Sequence, residues 1–145
     1  MKLTHLALSG LLAISAMGSS AVAQDFDKAA EIEAAIAAGD IAKGEKVFKK
    51  CKGCHKVGDK AKNSVGPQLN NFFGHEIGAS EGYKYSKPLL ALKETGQIWD
   101  LEALDAFLTK PKDYIAKTKM TFAGLKKEED RANVLAYLAS IQTSE

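Results

Sequence analysis

Apolar residues recur along this chain at helical rather than alternating spacing, and glycine breaks the pattern often enough to keep the helices short. The clearest run lies near the C-terminus, from about Lys126 to Ile141, where Val134, Leu135, Tyr137, Leu138 and Ile141 share a face. Glu128, Glu129 and Asp130 precede that face and suit the positive end of a helix. Asp40 is placed to cap another helix, with Ile41, Gly44, Val47, Phe48 and Cys51 on one side. A glycine inside a helix costs about 1 kcal/mol against alanine, so Gly44 points to the close approach of a second helix. Ser86 is placed to cap a short helix with Pro88 in its first turn, Leu89, Leu90 and Leu92 within it and Gly96 at its end. Asp100 caps a further one, with Leu101, Leu104, Phe107 and Leu108 as its apolar face, before Pro111 stops it.

Between these elements, Val57 to Gly82 reads as loop, punctuated by Gly58, Gly66-Pro67, Gly74 and Gly78, with no strand pattern. Residues 24–38 are alanine-rich and acidic, and their apolar stripe is thin. They read as a loosely docked N-terminal extension. The expected class is all-α, with three to five helices and long glycine-rich loops. Such a core is marginal for ~120 residues. An internal apolar cofactor against which the loops fold would resolve the deficit.

Length indicates one domain, over residues 39–145, behind that extension. The start of the chain is a separate object. Met1-Lys2 is a positive opening, Leu6 to Met17 an apolar run, and Ala21-Val22-Ala23 an A-x-A site. This is the pattern of a secretory signal peptide, residues 1–23, cleaved after Ala23 and directing the protein to the periplasm. The alternative, a retained membrane anchor, is disfavoured by the shortness of the apolar run. Cleavage removes one lysine and no acid, which takes the formal charge from +2 to +1. That small total hides an asymmetry: residues 25–45 are predominantly acidic, whereas residues 46–62 carry seven lysines against Asp59 alone. Such a molecule is dipolar. Low total charge and export both argue against a nucleic-acid partner.

The chemistry is concentrated in Cys51-Lys52-Gly53-Cys54-His55, a C-x-x-C-H motif. Two thiols at this spacing can each form a thioether to one porphyrin, and the adjacent histidine can take an axial position on its iron. A thioredoxin-like redox pair would need a preceding strand, and a structural zinc site would need a second ligand pair; the sequence offers neither. Once residues 1–23 leave, Met120 is the only methionine, and His55 and His75 are the only histidines. The strong-ligand candidates for the other face of the iron are therefore Met120 and His75. Met120 is favoured, because it lies in a polar loop with no helix face to pack, whereas His75 sits between Gly74 and Glu76. An iron held on both faces by protein has no open position for substrate, which points to electron transfer rather than catalysis.

These motifs resemble the class I c-type cytochromes, of the mitochondrial cytochrome c and bacterial cytochrome c2 kind, from Gly39 to about Leu138. Gly44 and Phe48 match the family's first-helix pair, which packs across the last helix near Val134 and Tyr137. Gly66-Pro67-Gln68-Leu69 resembles the family's G-P-x-L, and Pro111-Lys112-x-Tyr114-Ile115 followed by Thr118-Lys119-Met120-x-Phe122-x-Gly124 resembles its methionine loop. The resemblance implies the cytochrome c fold around one haem c, attached covalently through Cys51 and Cys54 and ligated by His55 and Met120. It also implies a Pro67 carbonyl that accepts from His55, Tyr83, Tyr85 and Trp99 along the propionate end, a Thr118 hydroxyl on a propionate, and Phe122 over the exposed haem edge. The sequence departs from the pattern at His75, where relatives usually carry arginine, and at Phe107, where many carry a tyrosine bonded to the methionine sulfur. The stretch from Tyr85 to Trp99 is also about three residues longer than in the mitochondrial form.

By the same resemblance the protein is no enzyme. It is a soluble, monomeric one-electron carrier between a cytochrome bc1-type donor and a terminal oxidase or photosynthetic reaction centre. Lys49, Lys50, Lys52, Lys112, Lys119, Lys126 and Lys127 would ring the haem edge and meet acidic partners. The rival readings are a haem enzyme or gas sensor with a labile sixth ligand, and a membrane-tethered carrier that keeps residues 1–23.

Overall fold

The structure, a computed structural model, describes residues 27–142. The signal segment, its cleavage site and the last three residues lie outside the described residues. Among the described residues six helices follow in order: α1 (Lys28–Ala38), α2 (Ile41–Phe48), α3 (Lys87–Lys93), α4 (Leu101–Thr109), α5 (Pro111–Tyr114) and α6 (Glu128–Ser140). The described residues contain no strand, only an antiparallel bridge between Glu76 and Ile98. Around it the chain pairs locally, with Gly74 N–H donating to Trp99 O at 2.9 Å and Ile77 N–H to Gln97 O at 2.8 Å.

Local chemistry explains most of the boundaries. Asp40 Oδ1 accepts from Lys43 N–H at 3.0 Å and starts α2 as expected. Asp100 Oδ1 does the same for α4, accepting from Ala103 N–H at 2.7 Å. Pro111 both stops α4 and opens α5, a single turn that the apolar pattern did not suggest, because proline's fixed φ suits a first helical position. Ser86 precedes α3 as its N-cap, but its side chain makes no capping bond, and α3 ends at Lys93, before Gly96. Two members of the expected α2 face are corrected. Cys51 lies beyond the helix in a turn, and Ile41 is 40% exposed.

α6 is the element against which the others close. Val134, Leu135, Ala136, Leu138 and Ala139 are all buried. Gly44 of α2 approaches it so closely that an added Cβ would collide with the Asn133 carbonyl and the Tyr137 side chain, which is the physical reason for a glycine inside α2. Phe48 stacks on Tyr137 with ring centroids 5.3 Å apart. Asn133 is itself buried, and its Oδ1 accepts from Asp40 N–H at 2.7 Å, tying the start of α2 to the middle of α6.

The extension is not loosely docked. α1 packs on α6 through alanine and glycine rather than large apolar residues: Ala35 is 2% exposed, and Gly39 lies against Ala132 and Ala136. Small side chains let the two backbones come close, and they leave little trace in a hydrophobic pattern.

Two apolar clusters result. One gathers Val47, Phe48, Leu104, Leu108, Val134, Leu135 and Leu138; the other gathers Ile77, Leu89, Phe107 and Ile115, with Met120 and Trp99 packed against it. Between them they supply the walls of one large cavity.

Candidate functional site

The cavity measures about 930 Å³, within the range of cofactor sites. Its first wall follows from the turn after α2. Cys51 N–H donates to Phe48 O at 2.8 Å, Cys54 N–H to Cys51 O at 3.0 Å and His55 N–H to Cys51 O at 2.9 Å. These tight turns bring both thiols and the imidazole to the same cavity. Neither cysteine is paired in a disulfide, so both sulfurs are available for attachment.

His55 Nδ1 lies 2.7 Å from the Pro67 carbonyl oxygen. A carbonyl can only accept, so Nδ1 carries the proton and Nε2 keeps its lone pair. Burial pushes the imidazole pKa down, against the opposing effect of the Pro67 bond, and so favours the neutral ring. Gly66 N–H donates to Cys54 O at 2.9 Å, laying this segment over the motif. A Cβ on Gly66 would stand 2.5 Å from His55 Cε1 and 2.8 Å from Nδ1, so the residue before Pro67 must be glycine for the imidazole to fit.

A further part of the lining comes from the segment after α5. Met120 is half-buried, lines the cavity, and packs with the Phe107 and Ile77 cluster; it is not a free-standing loop residue. Its N–H donates to the Thr118 hydroxyl at 3.3 Å. Phe122 is partly buried on the same rim. Phe107 stacks on Trp99 at 5.1 Å and offers no donor to a neighbouring sulfur.

Polar groups gather at one end. Tyr83 donates its hydroxyl to Val65 O at 2.7 Å, while the Tyr85 oxygen accepts from Ser80 N–H at 3.2 Å and keeps its own proton to give. Trp99 and Thr118 border the same space, as does the exposed His75. Every residue that the sequence singled out as cofactor-binding, namely Cys51, Cys54, His55, Pro67, Tyr83, Tyr85, Trp99, Thr118, Met120 and Phe122, thus lines one cavity.

One further lining residue escaped the sequence reading. Ser86 is 7% exposed, and among the described residues its Oγ is a buried side-chain oxygen with no hydrogen-bond partner. A buried hydroxyl left unpaired costs about 1–3 kcal/mol, so an acceptor in the cavity is what this group lacks. A tetrapyrrole with apolar faces and two carboxylates fits the whole arrangement: thiols and an imidazole on one wall, aliphatic surfaces around, hydroxyl donors at one end. The sequence gives Ser86 a capping role only, and the structure shows that its side chain makes no capping bond.

A fold of short helices packed around one cofactor cavity, with a thiol pair and an imidazole in its wall, fits a haem-binding protein. Residues 41–142 match the family model for cytochrome c. The chain is 51% identical over 105 residues to cytochrome c-554 of Methylosinus trichosporium, covering 72% of this chain and 77% of that protein. It is 50% identical over 106 residues to cytochrome c2 of Rhodomicrobium vannielii, covering 73% and 82%. Among solved structures it superimposes on a cytochrome c2 from Rhodospirillum centenum with a TM-score of 0.68 at 39% identity, covering 72% of this chain and all of that one. The chain belongs to the cytochrome c family. It is therefore an electron-transfer protein and not an enzyme, and its cofactor is one covalently bound haem c.

Proposed function

We propose that this protein is a soluble, periplasmic one-electron carrier whose iron is held between His55 and Met120, passing electrons from a cytochrome bc1-type complex to a terminal oxidase or a photosynthetic reaction centre. The observation that carries the proposal is that His55, with Nδ1 engaged by Pro67 at 2.7 Å, and Met120, from a distant segment, border the same cavity as both thiols. The signal-like residues 1–23 support the periplasmic assignment. No helix among the described residues is long and apolar enough to cross a membrane.

Haem supplies the one-electron ferric/ferrous couple; the chain's own residues decide how it is used. Pro67 fixes the tautomer that leaves His55 Nε2 as the donor atom. Met120 would contribute a soft, neutral thioether, which favours the reduced state and raises the potential. The aliphatic walls exclude water, and Ser86, Tyr85 and Thr118 can donate to carboxylates at the polar end. Were His55 and Met120 both to hold the iron, no position would remain for oxygen or peroxide.

The test is Met120→Ala in the holoprotein. The wild-type ferric protein should show the weak far-red absorption of an iron–sulfur bond, and the variant should lose it. The variant should also bind carbon monoxide when reduced, and its potential should fall by on the order of a few hundred millivolts, inside the ~0.8 V that axial ligands span. A wild type without that absorption, or one that binds carbon monoxide readily, would overturn the Met120 ligation.

A further inference from the structure

Helix α1 precedes residues 41–142, the range that matches the cytochrome c family, yet it bears on the cofactor cavity. Its Glu31 carboxylate accepts the Leu101 N–H at 2.9 Å. Leu101 opens α4, whose own N-cap, Asp100, accepts from Ala103. The first N–H groups of a helix have no partner inside it. Here two are met by carboxylates, one local and the other 70 residues away in sequence. Both negative groups also face the positive end of the helix dipole. α1 can bear this role because Ala35 and Gly39 seat it closely on α6.

α4 is in turn the base of the segment that carries Met120. Leu104, Phe107 and Leu108 of α4 line the cavity, and Phe107 shares a cluster with Met120. The segment leaves α4 at Thr109 and returns to it, with Leu125 N–H donating to Leu108 O at 2.8 Å. Arg131 of α6 closes the same corner. Its Nε meets Asp105 of α4 at 2.6 Å, and its Nη1 donates to the Leu125 carbonyl at 3.0 Å. α4 is thus pinned at its middle by α6, near its C-terminal end by Leu125 and at its start by α1. Fraying of its first turn would loosen the support beneath Met120.

We propose that Glu31 is a positioning residue: its bond to the start of α4 holds the base of the Met120 segment and so sets how readily that sulfur gives way to an outside ligand at the iron. The proposal rests on Met120 as the second iron ligand. It assigns the N-terminal helix a part in tuning the redox site, beyond adding bulk to the fold.

The experiment titrates the ferric holoprotein with imidazole, following the far-red absorption, in wild type, Glu31→Ala, Glu31→Gln and Glu33→Ala. Glu33 is exposed on the same helix and controls for charge and helix composition. Glu31→Ala should bind imidazole about fivefold more tightly, the effect of losing one helix cap. Glu31→Gln, which keeps an acceptor oxygen, should shift less than half as far on a logarithmic scale, and Glu33→Ala should match wild type. Unchanged imidazole affinity in Glu31→Ala, whatever its melting temperature, overturns the proposal. An equal change in Glu33→Ala does so too. If Glu31→Ala retains too little haem to titrate, Glu31→Gln decides alone: about a twofold tightening supports the proposal, and none overturns it. Absence of the far-red absorption in the wild type would sink Met120 ligation itself and this proposal with it, whereas its presence without a response to Glu31→Ala sinks this proposal alone.

Discussion

Ser86 carries the sharpest single-residue consequence. An unpaired buried hydroxyl is a liability, so replacing it with alanine should be neutral or stabilising. A hydroxyl that donates to a cofactor carboxylate makes a charge-assisted bond, worth roughly 1.5–3 kcal/mol. Urea unfolding of the Ser86→Ala holoprotein separates the two by sign. A loss of about 1–2 kcal/mol is expected, and an equally or more stable variant would show that the hydroxyl has no acceptor. The residues of the covalent motif were legible in the sequence because their chemistry is local: two thiols and a histidine within five positions. Asn133 and Arg131 were not, because each acts across the fold. Asn133 bonds Asp40 and Arg131 bonds Asp105, and nothing in their immediate sequence marks either pairing.

Among the elements, α2 and α1 show two ways in which helices meet α6. α2 has a strong amphipathic pattern, and its glycine was a readable sign of close contact. Gly44→Ala tests that contact with competing effects. Alanine favours the helix by about 1 kcal/mol, but its Cβ would overlap the Asn133 carbonyl. Backbone overlap of that kind cannot be relieved by a rotamer change, and overpacking costs about 1–3 kcal/mol or more. The variant should therefore melt several degrees below wild type; a higher melting temperature would mean that the helices do not cross there. α1 contacts α6 through alanines, whose burial contributes little to any hydrophobic periodicity, which is why the sequence suggested a loose extension. α5 was missed for another reason: four residues are too few to show a period. Surface ion pairs are secondary at this scale. Lys43 and Glu129 pair at 2.9 Å, but their side chains remain 57% and 69% exposed, and such pairs are screened by solvent and salt.

For the whole molecule, the uneven charge matters more than its total. The acidic extension and the lysine-rich stretch around the motif make a dipole that can orient the protein before contact. Lys49, Lys52, Lys112, Lys126 and Lys127 are exposed, as docking requires. Lys50 and Lys119 are also exposed but partly engaged, Lys50 with Asp130 at 3.6 Å and Lys119 with the Lys84 carbonyl at 2.6 Å. Second-order electron transfer with an acidic membrane redox complex should slow steeply with salt, since screening lengths shrink to about 10 Å at 0.1 M. Reversing Lys52 or Lys126 to glutamate should lower the low-salt rate and flatten that dependence, and rates independent of ionic strength in the wild type would exclude steering. By itself the sequence determined the helical class, the haem and its attachment, because helical periodicity and the C-x-x-C-H spacing are properties of neighbouring residues. The tertiary structure alone decided which distant side chains border the cavity, that α1 caps α4, and that Ser86 lacks a partner. Those facts depend on contacts between remote segments, Glu31 and Leu101 being 70 residues apart, and no local pattern encodes where two such segments will cross.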